Sequence, residues 1–240
     1  MFYLVGLGLN EKGYSREAYY AIEKCEKIYL ENYTVEFPYE IKNLEKEFGK
    51  KKLISANREF VESFDVLKEA KKKNVALLVY GNPLMATTHI SLIEEAKKRK
   101  IKFKIIHGAS ILDAVSETGL QIYKFGKTTS MPKWDEKKNF MPESFIDVVK
   151  ENLSIGAHTL ILVDIGLEFK KALEQLEKAS KNKGVEIKKI IVCQKLGTDK
   201  GKIIYKEISK LRNEKMESPF CFVIPGKLHF MEQEILEDFG

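Results

Sequence analysis

The sequence predicts an α/β fold in two parts, on three observations. Short, almost wholly apolar runs recur, with stretches of helical period between them. Several of these runs stop at a glycine-containing turn. Strand and helix alternate through the first half, which argues for a mostly parallel sheet covered on both faces; beyond about residue 112 the pattern becomes mixed. The expected domains are 1–112 and 113–240, the second with a mixed sheet.

Phe2–Leu7 opens the chain as an apolar strand ending in Gly6-Leu7-Gly8-Leu9. Residues 15–25 read as a helix, with Ser15 placed to cap it. Lys27–Leu30 is a short strand. Residues 57–73 put Val61, Phe64, Leu67 and Ala70 on one face and read as a single helix. Val75–Tyr80 reads as a fully buried strand, stopped by Gly81-Asn82-Pro83, with a helix from about Thr87 to 99. Lys102–Ile106 is the next strand, and His107-Gly108-Ala109-Ser110 leads from it into a helix through Val115.

In the second half, residues 119–134 hold short β-prone pieces around Gly126 and Pro132, and a helix over 143–152 follows Pro142. His158–Ile165 is a strongly apolar strand broken at Gly166. Residues 167–181 form an amphipathic helix with Phe169, Leu173 and Leu176 at helical spacing. Ile187–Cys193 and Phe220–Ile224 are further strands, ending near Gly197 and Gly226. Lys202–Tyr205 reads as a strand paired with a near neighbour.

Composition narrows the class. The 240 residues are 44% hydrophobic and 32% charged, which fits a globular protein with a sizeable core. No apolar run approaches the roughly 20 residues of a membrane-spanning helix, and the N-terminus reads as a first strand, not a signal peptide. Cys25, Cys193 and Cys221 have neither metal nor redox spacing and read as structural thiols of a cytoplasmic protein. The net charge of +6 comes from interleaved Lys and Glu. The basic runs 50–52, 71–73 and 97–100 read as solvated surface, so neither a membrane nor a direct nucleic-acid partner is expected.

Gly6-Leu7-Gly8-Leu9-Asn10-Glu11 begins like a dinucleotide fingerprint but places Glu11 where a third glycine is needed, beside a helix start that would hold pyrophosphate. There is no P-loop. His89, His107, His158 and His229 lack metal-ligand spacing, so no metal is expected, and no nucleophilic triad has its usual context. Strand-end loops lie at 6–9, 81–85, 107–111, 164–166, 196–197 and 225–229. Ligands of open α/β sheets bind at such loops. Converging, these would line a cleft with backbone groups and apolar side chains. That lining suits a neutral, extended molecule with an adenine better than a polyphosphate.

These segments together resemble the diphthine synthase family of the tetrapyrrole-methylase class. The blocks are Tyr3-Leu4-Val5-Gly6-Leu7-Gly8-Leu9, Gly81-Asn82-Pro83-Leu84-Met85-Ala86-Thr87-Thr88-His89 and His107-Gly108-Ala109-Ser110-Ile111. They continue through Gly119-Leu120-Gln121-Ile122-Tyr123-Lys124-Phe125-Gly126, the strand from Ala157-His158 to Asp164-Ile165, and Pro225-Gly226-Lys227-Leu228-His229. The resemblance implies two α/β domains with S-adenosylmethionine in the cleft between them, and a homodimer. It implies repeated methylation of the amino group of a 3-amino-3-carboxypropyl histidine on translation elongation factor 2. The short chain is similar to the archaeal type, which stops at diphthine; the eukaryotic type also methylates the carboxylate.

Carried over position by position, the resemblance implies cofactor contacts at Leu9, Asn82, Met85, Ser110, Ile111, Val163, Leu196 and Phe220. Ser110 and Asn82 would use their side chains; the apolar positions would use backbone groups and packing. The family writes Gly-Asp-Pro where this chain has Gly81-Asn82-Pro83. Asn82→Asp is therefore expected to tighten cofactor binding or leave it unchanged. Methyl transfer from a sulfonium to an amine needs alignment and a neutral amine more than a covalent nucleophile, so no catalytic residue is named. His107, His89 and Asp113 are candidates for orienting substrate. The alternatives are a sister methylase acting on a tetrapyrrole or ribosomal RNA, and a non-catalytic S-adenosylmethionine-binding module.

Overall fold

A computed structural model describes residues 1–49 and 51–240; Lys50, in the basic run 50–52, lies outside the described residues. The chain divides into two units, Met1–Ala114 and Val115–Gly240.

The first unit comprises β1 (Phe2–Gly6), α1 (Arg16–Glu23), β2 (Lys27–Glu31), α2 (Ile41–Glu47), β3 (Ile54–Ala56), α3 (Arg58–Glu62), α4 (Asp65–Ala70), β4 (Val75–Val79), α5 (Ile90–Lys98), β5 (Phe103–Ile106) and α6 (Ile111–Ala114). Its sheet has the order β3-β2-β4-β1-β5, and every pairing is parallel. Alternate strand residues point to opposite faces, and both faces are covered. Phe2, Leu4, Val75 and Leu77 pack with Val66, Leu67, Leu92 and Ala96 of α4 and α5. Tyr3, Val5, Ala76 and Leu78 pack with Ala18 and Ile22 of α1 and Leu44 of α2. This explains why β4 reads as a continuous apolar run.

Two helical expectations differ from the structure, and one helix was not expected. Residues 57–73 are two helices, not one, because Phe64 adopts left-handed backbone geometry (φ 62°) between α3 and α4. Val61, Leu67 and Ala70 are nevertheless all buried, as their spacing requires. The helix expected from Thr87 starts at Ile90. Ahead of it, the Thr87 hydroxyl and the His89 ring both donate to the Pro83 carbonyl, at 2.9 and 3.1 Å, holding the segment in turns. The unexpected helix is α2, whose seven residues bury only Leu44 and so show no apolar face in the sequence, and β3 is a three-residue edge strand.

The second unit comprises β6 (Thr129–Met131), α7 (Ser144–Ser154), β7 (Thr159–Val163), α8 (Phe169–Asn182), β8 (Lys189–Gln194), β9 (Lys202–Glu207), α9 (Ile208–Leu211), β10 (Phe220–Ile224) and α10 (Phe230–Glu237). Short 3-10 turns precede β6 at Val115–Thr118 and Ile122–Lys124. The sheet is mixed, in the order β6-β7-β10-β8-β9. β6 runs parallel to β7, β10 runs antiparallel to both β7 and β8, and β9 returns antiparallel on β8. One face packs Ile161, Ile190, Val192, Phe222 and Ile224 against Phe145, Val149, Leu173 and Leu176 of α7 and α8.

The antiparallel course of β10 overturns one expectation. Loop 225–229 leaves the sheet at the edge where β7 enters it, opposite the edge that carries 164–166 and 196–197. The six strand-end loops therefore do not form one cluster.

Candidate functional site

Neighbouring parallel strands β4, β1 and β5 deliver their carboxyl ends side by side. The loops that follow hold Leu9, then Asn82 and Met85, then Ser110 and Ile111. They are joined backbone to backbone. Gly8 and Gly81 exchange hydrogen bonds of 3.2 and 2.9 Å, and the Tyr80 hydroxyl donates to the Leu9 carbonyl at 3.0 Å. Gly6 and Gly108 permit this approach: a Cβ on Gly108 would sit 2.6 Å from both Gly8 N and Gly81 O.

Asn82 is almost buried, and its amide is fully oriented. Its Oδ1 accepts from the Leu84 N–H at 3.1 Å; its Nδ2 donates to the Gly108 carbonyl and to His107 Nδ1, each at 3.2 Å. The N–H on one side and the carbonyl on the other fix which end is which. His107 Nδ1 is therefore the acceptor, and its ring proton sits on Nε2. A carboxylate here would face the Gly108 carbonyl oxygen, which opposes the tighter or unchanged cofactor binding expected of Asn82→Asp.

Ser110 is buried at the N-terminus of α6. Its N–H and hydroxyl both donate to Asp113 Oδ2, at 2.7 and 3.0 Å, and the hydroxyl accepts from the Leu112 N–H at 3.2 Å. This is a helix-capping arrangement, so both side chains have a structural task. His89 is also structural: it is buried, its Nδ1 donates to Pro83, and its Nε2 faces the Tyr33 hydroxyl at 3.4 Å. It is not placed to orient a substrate. Burial pushes the Tyr33 hydroxyl pKa up to about 12. Met85 is 47% exposed and the Leu9 side chain is buried.

Loops 6–9, 81–86 and 107–111 contain no Lys or Arg. Lined by backbone carbonyls, an oriented amide and apolar side chains, they lack the cations that a polyphosphate requires.

In the second unit, Val163, Leu196 and Phe220 fall on one sheet edge. Val163 ends β7, Leu196 follows β8, and Phe220 opens antiparallel β10. Phe220 lies in register with Gln194 and Cys221 with Leu162. The thiols are not reactive centres. Burial raises the Cys25 pKa to about 11. The Cys221 thiol beside Cys193, together with burial, pushes Cys193 up as well.

At the opposite edge is a polar network that residue-by-residue reading missed. Glu232, fully buried on α10, accepts from the backbone N–H groups of Gln121 and His229 at 3.0 and 2.7 Å, from the Lys124 ammonium, and from His158 Nε2 at 3.3 Å. The Gly226 N–H donates to His158 Nδ1 at 2.9 Å, which makes His158 a neutral ring with its proton on Nε2. Burial alone would raise the Glu232 pKa, but the four donors hold it at about 2. Burial lowers that of His158, against the pull of Glu232. A single polar residue in an amphipathic helix gives no sequence signal of such a role.

Comparison with known proteins agrees with this architecture. The model of the Tetrapyrrole (Corrin/Porphyrin) Methylases family matches residues 1–212. A diphthine synthase of Methanocaldococcus jannaschii is 40% identical over 99% of this chain and 98% of its own. A diphthine methyl ester synthase of Schizosaccharomyces pombe is 46% identical over 69% of this chain and 58% of its own. A crystal structure of diphthine synthase superposes with a TM-score of 0.89 at 32% identity, covering 100% of this chain and 95% of that one. A parallel first sheet with glycine-crossed loops, a mixed second sheet and likeness along the full length together make this chain a member of the tetrapyrrole methylase family and, within it, a methyltransferase of the diphthine synthase group.

Proposed function

We propose that this chain methylates the amino group of 3-amino-3-carboxypropyl histidine on translation elongation factor 2 three times, using S-adenosylmethionine, and does so as a cytoplasmic homodimer. The observation that carries the reading is the 40% identity to a diphthine synthase over almost the whole of both chains. The cation-free loops of the first unit support it, because a sulfonium ligand is itself positively charged. No described helix is long and apolar enough to cross a membrane.

S-adenosylmethionine supplies an activated methyl on a good leaving group. We assign to its binding Leu9, Asn82, Met85, Ser110 and Ile111 in the first unit and Val163, Leu196 and Phe220 in the second. Asn82 contributes through the rigidity of its loop as much as through a direct contact, since Leu84, Gly108 and His107 engage its amide. Ser110 contributes its place at the α6 cap. His107 is exposed and presents Nε2–H, so it offers a donor suited to a substrate carboxylate. As nitrogen gains each methyl it forms a bond to carbon while the carbon–sulfur bond breaks. A proton leaves to water after the first and second rounds, and none remains to leave after the third.

The test is a mass-spectrometric time course with elongation factor 2 bearing the unmethylated intermediate. Three added methyl groups are expected. A fourth would favour the ester-forming reading, which the 46% identity to a diphthine methyl ester synthase raises. No methyl gain would refute both.

A further inference from the structure

A cavity of about 530 Å³ opens on the second unit, lined among others by Tyr123, Lys124, Ile155, Gly156, Lys227 and His229. It lies where β6 and β7 enter the sheet and β10 leaves it. Val163, Leu196 and Phe220 are at the other end of the same strands. Five strand residues separate the two edges, roughly 16 Å. The cavity is therefore at the other edge of the sheet from Val163, Leu196 and Phe220.

Its walls are built, not incidental. Three segments far apart in sequence are tied together below it. The His158 N–H donates to the Lys124 carbonyl and the Lys227 N–H to the Gly156 carbonyl, at 2.9 and 3.0 Å. The Lys124 ammonium donates to the Lys227 carbonyl at 2.7 Å and also to Glu232. Gly226 is pressed so close to the Ala157 carbonyl that a Cβ would lie 2.4 Å from its oxygen. Above this floor, Tyr123 is 82% exposed and Ile155 75% exposed.

The charge on the lining has one sign. No Asp or Glu lines the cavity. Glu232, the carboxylate beneath, is wholly buried and engaged by four donors. Among the described residues no carboxylate lies within ion-pair distance of Lys227. A second copy of this chain, with a net charge of +6, would bring a basic molecule to a basic surface.

The geometry points to a docking site for an acidic segment of the protein substrate, with a carboxylate at Lys227 and an apolar side chain against Tyr123 and Ile155. This rests on the proposed protein-methylating function and adds where on the second unit the substrate protein is gripped. Exposed aromatic anchors beside a cation are what concentrate binding energy at such surfaces, and the lysine would also speed encounter in a salt-dependent way.

The test uses the full chain with Tyr123→Ala, Lys227→Glu and their combination, all at exposed positions. Affinity for elongation factor 2 carrying the unmethylated intermediate is read by interferometry at two salt concentrations. S-adenosylmethionine binding is read by calorimetry and oligomeric state by sedimentation. The combined variant is expected to lose about tenfold or more in affinity for the protein, with a weaker salt dependence, while cofactor binding and oligomeric state stay as in the wild type. Retained affinity, or a changed oligomeric state, overturns the docking site. A wild-type chain that methylates, with variants that bind as well as it does, sinks the docking site alone. A wild-type chain that binds but transfers no methyl, with variants that lose binding, sinks only the methylation reading. A wild-type chain that does neither sinks both.

Discussion

Asn82 ties the turn after β4 to the loop after β5 through two hydrogen bonds, one of which fixes the proton of His107 on Nε2, while a third, from the Leu84 N–H, holds its amide within the turn. Changing Asn82 to Asp keeps the shape and removes the side-chain donor that serves both Gly108 and His107. A carboxylate would then face the Gly108 carbonyl, at a cost of about 1–2 kcal/mol. It would also reverse the contact with His107, because a carboxylate oxygen only accepts and Nδ1 must then donate. Asn82→Asp is thus expected to move the His107 ring proton from Nε2 to Nδ1, as read by nitrogen chemical shifts. An unshifted His107 in that variant would show that the two residues are not coupled. The sequence reveals that position 82 departs from the family pattern. It does not reveal the amide's partners, because Gly108 and His107 come beside it only when β1 brings β4 and β5 together.

At the scale of elements, the crossing of β1, β4 and β5 depends on backbone-to-backbone contact. Gly108→Ala would put a Cβ within 2.6 Å of Gly8 N and Gly81 O and within 2.9 Å of the Gly6 carbonyl carbon. None of these can rotate away, so the strands themselves must part. The expected loss is about 3 kcal/mol, the upper end of overpacking. Gly184→Ala is the comparison: nothing lies within 4 Å of its Cβ, and only the left-handed backbone (φ 65°) resists, costing about 1 kcal/mol. Equal losses in urea denaturation would mean that the crossing is looser than its geometry implies. The strands around it were legible because burial on both faces makes them continuous apolar runs. The break at Phe64 was not, because the helical face stays intact across it. Nor was the direction of β10: Phe220-Cys221-Phe222-Val223-Ile224 is as apolar as a parallel strand, and only its pairing with β7 and β8 sets its course. That is why the sequence alone groups loop 225–229 with the wrong edge.

For the whole molecule, the Glu232 network joins the last helix to the opening segment of the second unit, 111 residues earlier, and it carries a pH signature. Folding lowers the pKa of both titrating members. His158 falls below its ordinary 6.5 through burial, and Glu232 falls from 4.5 to about 2 through its donors. In each case the unfolded chain binds the proton first, so acid favours unfolding. The His158 contribution is fully present above pH 6.5 and fades as pH falls below it. The Glu232 contribution is present above 4.5 and is lost between 4.5 and about 2, amounting to about 3 kcal/mol. Glu232→Gln should therefore lower stability at pH 7 by about 3 kcal/mol, since it leaves the largely buried Lys124 without its carboxylate. It should also flatten the decline between pH 4.5 and 2. The decline below pH 6.5 should persist and deepen, because His158 loses the one neighbour that favours its charged form. Urea midpoints measured from pH 8 to 3 in both proteins separate these terms. Parallel curves, offset by a constant amount over the whole range, would mean that folding leaves the Glu232 pKa where it is in the unfolded chain.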